Sequence, residues 1–199
     1  MKVEDDDGDF WVFGYGSLMW RPGFPHVERH AARLSGYHRS LCLYSHGYRG
    51  TPERPGLVLG LDRGGSCVGV GFRIDPLDRE ATRAYLTWRE GTDVYRETKV
   101  HLILVDGRHV SALAYVVNRA HPHYAGRLPQ PKLLDHVRCG HGNKGSCRDY
   151  VVSTHAHLLS LGVRDSHLAW LAERLGASEG QAVHHPHWSM TREVETAIH

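Results

Sequence analysis

Asp106-Gly107 limits what this chain can become more than any other pair of neighbouring residues. An Asp-Gly pair readily takes the positive-φ positions of a type I′ turn, the turn whose twist matches a two-residue β-hairpin. Thr98 to Val105 lies before it and Arg108 to Val117 after it, both rich in aliphatic and β-branched residues. An antiparallel pair is therefore expected in the middle of the chain.

The segments before that pair read mostly as further strands. Phe10 to Phe13 is a short, bulky apolar run ending at Gly14, the pattern of a buried strand. Arg39 to Ser45 carries Leu41 and Leu43 at alternate positions. Leu57 to Leu61 and Cys67 to Ile74 are apolar runs separated by Asp62-Arg63-Gly64-Gly65, which reads as a second hairpin turn. Gly69 and Gly71 imply strong bending or close backbone approach, as in a barrel. One helix interrupts the strands. Asp75 is a good N-cap, Pro76 suits N1, and Ala81, Ala84, Tyr85 and Trp88 share a face that Gly91 can end. After Asn118 the pattern turns helical, through Lys132 to Cys139, a Ser146–Asp149 capping box ahead of Tyr150 to Leu161, and a helix opening at Asp165 or Ser166. Strands first and helices last, with one helix inserted, predict an α+β fold: a small barrel or curled sheet.

Length and composition exclude several functions. The 199 residues suit one domain, expected over 10–176, with an acidic extension at 1–9 and a polar, histidine-rich tail at 177–199. A formal net charge of +2, with no basic stripe, argues against nucleic acid, and no apolar run is long enough for a membrane span. Glu4 to Asp7 are the reverse of a signal peptide's basic start. Cys42, Cys67, Cys139 and Cys147 are scattered, as expected of cytoplasmic thiols. Seventeen histidines raise the question of a metal. The clusters His121-Pro122-His123 and His184-His185-Pro186-His187 lack the ligand spacing of a structural zinc site, and proline prevents a shared helical face. No metal is expected.

Three places can carry chemistry. The first is the loop Gly14-Tyr15-Gly16-Ser17-Leu18. It lacks the third glycine of a dinucleotide fingerprint and the Lys-Ser/Thr of a P-loop, and Pro22 leaves no room for the helix both need. What remains is a bend whose amides at Gly16, Ser17 and Leu18 can hold a carboxylate or an oxyanion, or a plain turn at a barrel rim. The second is Glu90, at a helix C-terminus whose carbonyls disfavour negative charge and push its pKa upward. That is the direction wanted in a carboxylate that shuttles a proton, although a surface glutamate paired with Arg89 or Arg96 fits the same spacing. The third is Tyr115, by default a core residue whose buried hydroxyl needs a partner, or else a pocket wall. Ser17 as nucleophile has no convincing base near it in sequence.

In order along the chain, WVFGYGSLMWRPGF (11–24), RGTPERPGLVLGL (49–61), CVGVGFRI (67–74), YLTWRE (85–90) and NRAHPHYAG (118–126) resemble the ChaC family, the glutathione-specific gamma-glutamylcyclotransferases. The resemblance runs from Trp11 to about Leu175. It implies a small mixed β-barrel with surrounding helices, and a lyase without cofactor or metal that converts glutathione to 5-oxoproline and Cys-Gly. By position it makes Glu90 the general acid/base. It also implies that Val12, Phe13, Gly14, Tyr15, Gly16, Ser17 and Leu18 hold the glutamyl end, that Tyr115 lines the pocket, and that Arg49 is a candidate substrate contact. The chain departs from the pattern at Gly91 to Tyr95, at His121 before Pro122, at Cys147 where asparagine is frequent, and in the tail.

Two other readings stay open: the same chemistry on γ-glutamyl amino acids or amines, and a non-catalytic small-ligand or metal-binding regulator. The sequence does not set the oligomeric state.

Overall fold

A computed structural model describes residues 8–90 and 93–176; Gly91 and the histidine-rich tail lie outside them, as does most of the acidic extension. Strand β1, Phe10–Gly14, is buried along its whole length. It runs antiparallel to β3, Gly56–Ile74, with Phe10 opposite Ile74 and Gly14 opposite Val70. Its other edge meets β5, His109–Val117, in parallel register through Trp11–Ala112 and Val12–Leu113. Strands β2, Glu28–Ser45, and β4, Tyr95–Leu104, complete a closed barrel in the order β1-β3-β2-β4-β5. A strand with neighbours on both edges and cover on both faces can be apolar throughout, as β1 is.

The Asp106-Gly107 turn joins β4 and β5 as expected, but it is not type I′: only Gly107 has a positive φ, 87°, and its N–H bonds to the Leu104 carbonyl at 3.0 Å, so Val105 and Asp106 are the central residues. The second expected hairpin does not exist. Asp62-Arg63-Gly64-Gly65 lies inside β3, which continues for 19 residues beside the 18 of β2. Gly64 and Gly65 have φ of 98° and 70°, and Gly36 on the facing strand has 85°. The register shifts there, between the Ser35–Ser66 and Tyr37–Arg63 pairs. Positive-φ glycines permit a reversal or a bulge equally, and facing bulges here bend a ribbon too long to stay straight around a narrow barrel. The true reversal is the loop between Ser45 and Gly56. The first half of β2 escaped sequence reading because its exposed and covered positions alternate among polar residues.

Helix α1, Arg79–Glu90, follows a single 3-10 turn over Pro76–Asp78, capped by the Asp75 carboxylate accepting from the Leu77 N–H at 2.9 Å. Its buried face is not the expected one. Thr82 and Leu86 are buried, with Tyr85, Arg89 and Glu90 half-buried, whereas Trp88 is 81% exposed. The aromatic weight of Trp88 rotates the apparent stripe by one residue, roughly 100° of helix. Leu86, wholly buried, contributes about 1.5–3 kcal/mol by leaving water. This rotation turns Glu90 inward, because 82, 86 and 90 recur at four-residue spacing.

The remaining elements are α2 (Gln130–Cys139), the two-residue pair β6 (His141–Gly142) and β7 (Gly145–Ser146), α3 (Cys147–Ser160) and α4 (Ser166–Arg174). Ser146 caps α3 by accepting from the Asp149 N–H at 2.9 Å, so the helix begins at Cys147, three residues earlier than Tyr150. Asp165 caps α4 through the N–H groups of His167 and Leu168. One core, with Trp11, Phe13, Leu34, Leu61, Leu102 and Val116, draws on all five barrel strands. A second joins strands to helices, through Val12, Leu41, Leu59, Phe72, Leu86, Val137, Val151 and Leu171. No helix among the described residues is long and apolar enough to cross a membrane.

One stretch of barrel edge has side chains where a strand would be. Along β3, β5 pairs only at Leu61–Val116. The Leu57 N–H donates to Cys147 Sγ and the Cys147 thiol donates to the Leu57 carbonyl, both at 3.2 Å. Two residues on, the Leu59 N–H donates to the Tyr150 hydroxyl at 3.2 Å, and the Tyr95 hydroxyl donates to the Leu59 carbonyl at 3.0 Å. Buried backbone groups have to be paired, and α3 and β4 pair them here.

Candidate active site

The loop after β1 is compact. Gly14 has Leu18 and Phe72 packed so closely that an added Cβ would lie 3.1 and 3.2 Å from them. Ser17–Met19 forms one 3-10 turn, with Met19 N–H bonded to the Gly16 carbonyl at 2.9 Å and Arg21 N–H to the Ser17 carbonyl at 2.8 Å. The N–H groups that open such a turn have no partner within it. Val12, Phe13, Tyr15 and Leu18 are buried in the two cores, so the exposed chemistry of the segment is backbone and the half-buried Ser17.

Arg39 holds this loop from behind, and sequence reading missed it. Its side chain is 4% exposed. It donates to the carbonyls of Tyr15 and Val68, the latter at 2.8 Å, and to Asp165 Oδ2 at 3.0 Å. The only hint in the sequence is an arginine opening the otherwise apolar Arg39–Ser45 stretch; its partners, 24 and 126 residues away, are invisible there.

Glu90 stands at the end of α1 with a side chain 18% exposed. Burial raises its pKa, opposed by the Arg89 guanidinium, whose Nε lies 3.2 Å from Glu90 Oε1. The sequence argument anticipated the direction and named a different cause, the helix carbonyls. The pairing with Arg89 is real, but the glutamate is not a solvated surface residue.

Four tyrosines surround this carboxylate electrostatically. The hydroxyls of Tyr15, Tyr95, Tyr115 and Tyr150 all have raised pKa values, burial first, with the charge of Glu90 a further contribution in each. Tyr150 is pushed up to about 12. All four are therefore neutral phenols near pH 7. The Tyr115 hydroxyl donates to Glu97 Oε1 at 3.1 Å, so the partner that a buried tyrosine needs is present. Tyr95 and Tyr150, missed as site residues, come from β4 and α3. The Tyr150 hydroxyl accepts from Leu59, and its own proton has no acceptor among the described residues.

Arg89 links the two halves. It donates to Ser17 Oγ at 2.7 Å, to the Arg21 carbonyl at 2.8 Å and to the Tyr85 hydroxyl at 2.9 Å. Glu90 and the Ser17 loop, 73 positions apart in sequence numbering, thus meet on one guanidinium. Arg49 lies to one side. It donates to the carbonyls of Lys144 and Ser146 and sits 5.1 Å from the Tyr150 ring centre, so it touches the candidate site through that ring. His46 Nδ1 and His123 Nε2 are 3.1 Å apart, but no group of three or more His, Cys, Asp or Glu among the described residues converges as a metal site. The expected cluster at His184 to His187 lies outside those residues.

Comparison with known proteins agrees with this arrangement. Residues 10–177 match the model of the ChaC-like protein family. A glutathione-specific gamma-glutamylcyclotransferase of Escherichia coli K12 is 35% identical over 172 residues, 84% of this chain and 73% of that protein. Human glutathione-specific gamma-glutamylcyclotransferase 1 is 29% identical over 182 residues, 86% of this chain and 82% of that one. In fold, a yeast gamma-glutamyl cyclotransferase specific to glutathione superposes with a TM-score of 0.76 at 21% identity, covering 91% of this chain and 100% of its own. Sequence match and barrel topology lead to one assignment: this chain belongs to the ChaC family.

Proposed function

We propose that the protein is a glutathione-cleaving gamma-glutamylcyclotransferase, a carbon–nitrogen lyase, with Glu90 as its general acid/base. The observation that carries this is the position of Glu90: largely buried, raised in pKa, and joined through Arg89 to the Ser17 loop. The activity named for the E. coli and human relatives supports the choice of substrate.

The chemistry follows from the residues. The substrate's α-amine attacks its own γ-carbonyl, forming the new C–N bond of a five-membered ring. Attack within one molecule needs mainly the near-attack conformer, which a rigid loop and neutral phenols can hold. An ammonium has no lone pair, so Glu90 first takes its proton. The γ-carbonyl becomes a tetrahedral oxyanion, which the N–H groups of Gly16 to Leu18 and the Ser17 hydroxyl stabilise. Collapse breaks the bond to the cysteinyl nitrogen, which takes the first proton from Glu90; the ring nitrogen then gives up its second proton through the freed Glu90 carboxylate, and the amine leaves as ammonium. The products are 5-oxoproline and Cys-Gly, and no water is consumed. A carboxylate with a raised pKa is the stronger base for this transfer, and its acid limb lies above the ordinary carboxylate range.

In this reading residues 10–176 form the catalytic unit, Val12 to Leu18 and Tyr115 line the glutamyl site, and Arg49 steadies Tyr150 beside it. The reading needs no cofactor, metal, nucleic acid or membrane, and suits a cytoplasmic, glutathione-rich compartment. The test is 5-oxoproline formation from glutathione and from γ-Glu-Ala by wild type and Glu90→Gln. Wild type should turn over glutathione faster, and Glu90→Gln should be folded and inactive. Preference for γ-Glu-Ala would move the substrate to γ-glutamyl amino acids. No product from either, or full activity in Glu90→Gln, sinks the reading.

A further inference from the structure

We propose that Arg89 is the positioning residue of this site: its guanidinium occupies a lone pair of Ser17 Oγ and so turns the Ser17 hydroxyl proton toward the substrate's anionic oxygen, opposite Glu90. The inference rests on the gamma-glutamylcyclotransferase reading and deepens it.

The geometry of the guanidinium is the starting point. Its N–H donors lie in one rigid plane, so groups bonded to it are held at fixed separations. Nε faces Glu90 Oε1 at 3.2 Å, Nη1 serves the Arg21 carbonyl at 2.8 Å and the Tyr85 hydroxyl at 2.9 Å, and Nη2 serves Ser17 Oγ at 2.7 Å. The Arg21 N–H returns to the Ser17 carbonyl at 2.8 Å, so Ser17 is tied by side chain and by backbone to the same plane. A lysine in this position has one nitrogen and cannot span the set.

The hydroxyl's own proton is then the free quantity. Ser17 Oγ offers one donor and two lone pairs. With a cation on one lone pair, the proton is directed away from Arg89, and it has no acceptor among the described residues. Donating to a hydroxyl from a charged group also polarises its O–H and makes it a stronger donor. A ligand oxygen carrying negative charge is the acceptor that such a group recognises. Ser17 in this role is a hydrogen-bond donor and not a nucleophile, which agrees with its lack of a partnered base.

A second observation, on the far side of Arg89, supports the same function. Gly23 has φ 73°, and a Cβ there would lie 2.1 Å from the Tyr85 hydroxyl oxygen. The glycine makes room for the hydroxyl that backs Arg89, so the plane is buttressed as well as bonded. Around Glu90 the charged and titratable neighbours are Arg89 on α1, Tyr15 beyond β1, Tyr95 on β4, Tyr115 on β5 and Tyr150 on α3. Arg89 alone among them lowers the pKa of Glu90.

Steady-state 5-oxoproline kinetics across the acid and neutral range test this with Ser17→Ala, Arg89→Gln, Arg89→Lys and the Ser17→Ala/Arg89→Gln double variant. Ser17→Ala should lower kcat by about 100-fold, the loss typical of one oxyanion donor, with its acid limb unmoved. Arg89→Gln should lose at least as much and shift the acid limb of kcat/KM to higher pH. The double variant should fall no more than about threefold below Arg89→Gln, because residues acting as a unit are not additive. Arg89→Lys should restore the acid limb while kcat stays low. Multiplying effects in the double variant, an unmoved acid limb in Arg89→Gln, or full rescue of kcat by lysine overturns the inference and leaves the lyase reading standing. If Arg89→Gln does not fold, the split between acid limb and kcat in Arg89→Lys decides the matter. A wild type that makes no 5-oxoproline from glutathione or γ-Glu-Ala ends both.

Discussion

Replacing Arg39 with methionine should loosen the site from behind while every residue proposed to meet substrate keeps its own side chain. The side chain is 4% exposed and is bonded to Asp165 and to two carbonyls. Breaking a buried ion pair from one side costs about 3–5 kcal/mol, because the remaining charge is stranded. Asp165 is 14% exposed and keeps its bonds to the His167 and Leu168 N–H groups at 3.1 and 3.0 Å, so its charge stays partly compensated. The carbonyls of Tyr15 and Val68 lose a donor at about 1–3 kcal/mol for each group left unsatisfied, some of it recovered where water enters. The low end of the ion-pair figure is therefore expected, about 3 kcal/mol. For a domain of this size that is a fall of about 6–12 °C in melting temperature. Thermal and urea unfolding of wild type, Arg39→Met, Asp165→Asn and the double variant measure it. A coupling of about 1–3 kcal/mol is expected between the two positions, since asparagine keeps the helix cap and removes the charge. A loss under about 1 kcal/mol in Arg39→Met, or the same loss with and without Asp165→Asn, would refute the claim that the buried pair anchors the Tyr15 loop.

Two further outcomes follow from the same interactions. Glu90 has a raised folded-state pKa, so the stability it contributes is present below the ordinary value of 4.5 and lost as pH rises through the folded value. Glu90→Gln should thus melt higher than wild type at neutral pH, with the gap closing in acid; a constant or reversed gap contradicts burial as the leading cause. Cys147→Val is about one methyl larger and leaves both polar groups of Leu57 unpaired, and should cost about 1–3 kcal/mol in urea unfolding, with Cys147→Ser losing less. Equal stability of the valine variant would show that the thiol does not cover the barrel edge.

Much of the local structure was legible because it depends on neighbours in sequence. The Asp106-Gly107 turn, the Asp75, Ser146 and Asp165 caps and the order of strands before helices all rest on bonds that span a few residues. The resemblance to a known family picked out Glu90 and the Gly14 to Leu18 loop, which periodicity alone left as a bend and a surface carboxylate. The misreadings have a common source. Gly64 and Gly65 announce positive φ, and whether that becomes a turn or a bulge depends on Gly36 across the ribbon. The face of α1 depends on which side meets the barrel, not on where Trp88 falls.

By itself, then, the sequence determined turns, caps, class and the candidate catalytic carboxylate. Tertiary structure decided barrel closure through the parallel β1–β5 pair, the burial of Glu90, its link through Arg89 to Ser17, the approach of Tyr150, and the anchoring of the Tyr15 loop by Arg39. The physical reason is range. A cap or a turn is satisfied within one stretch of backbone, whereas a pKa raised by burial and an arginine's choice of acceptors exist only once distant segments have removed the water between them.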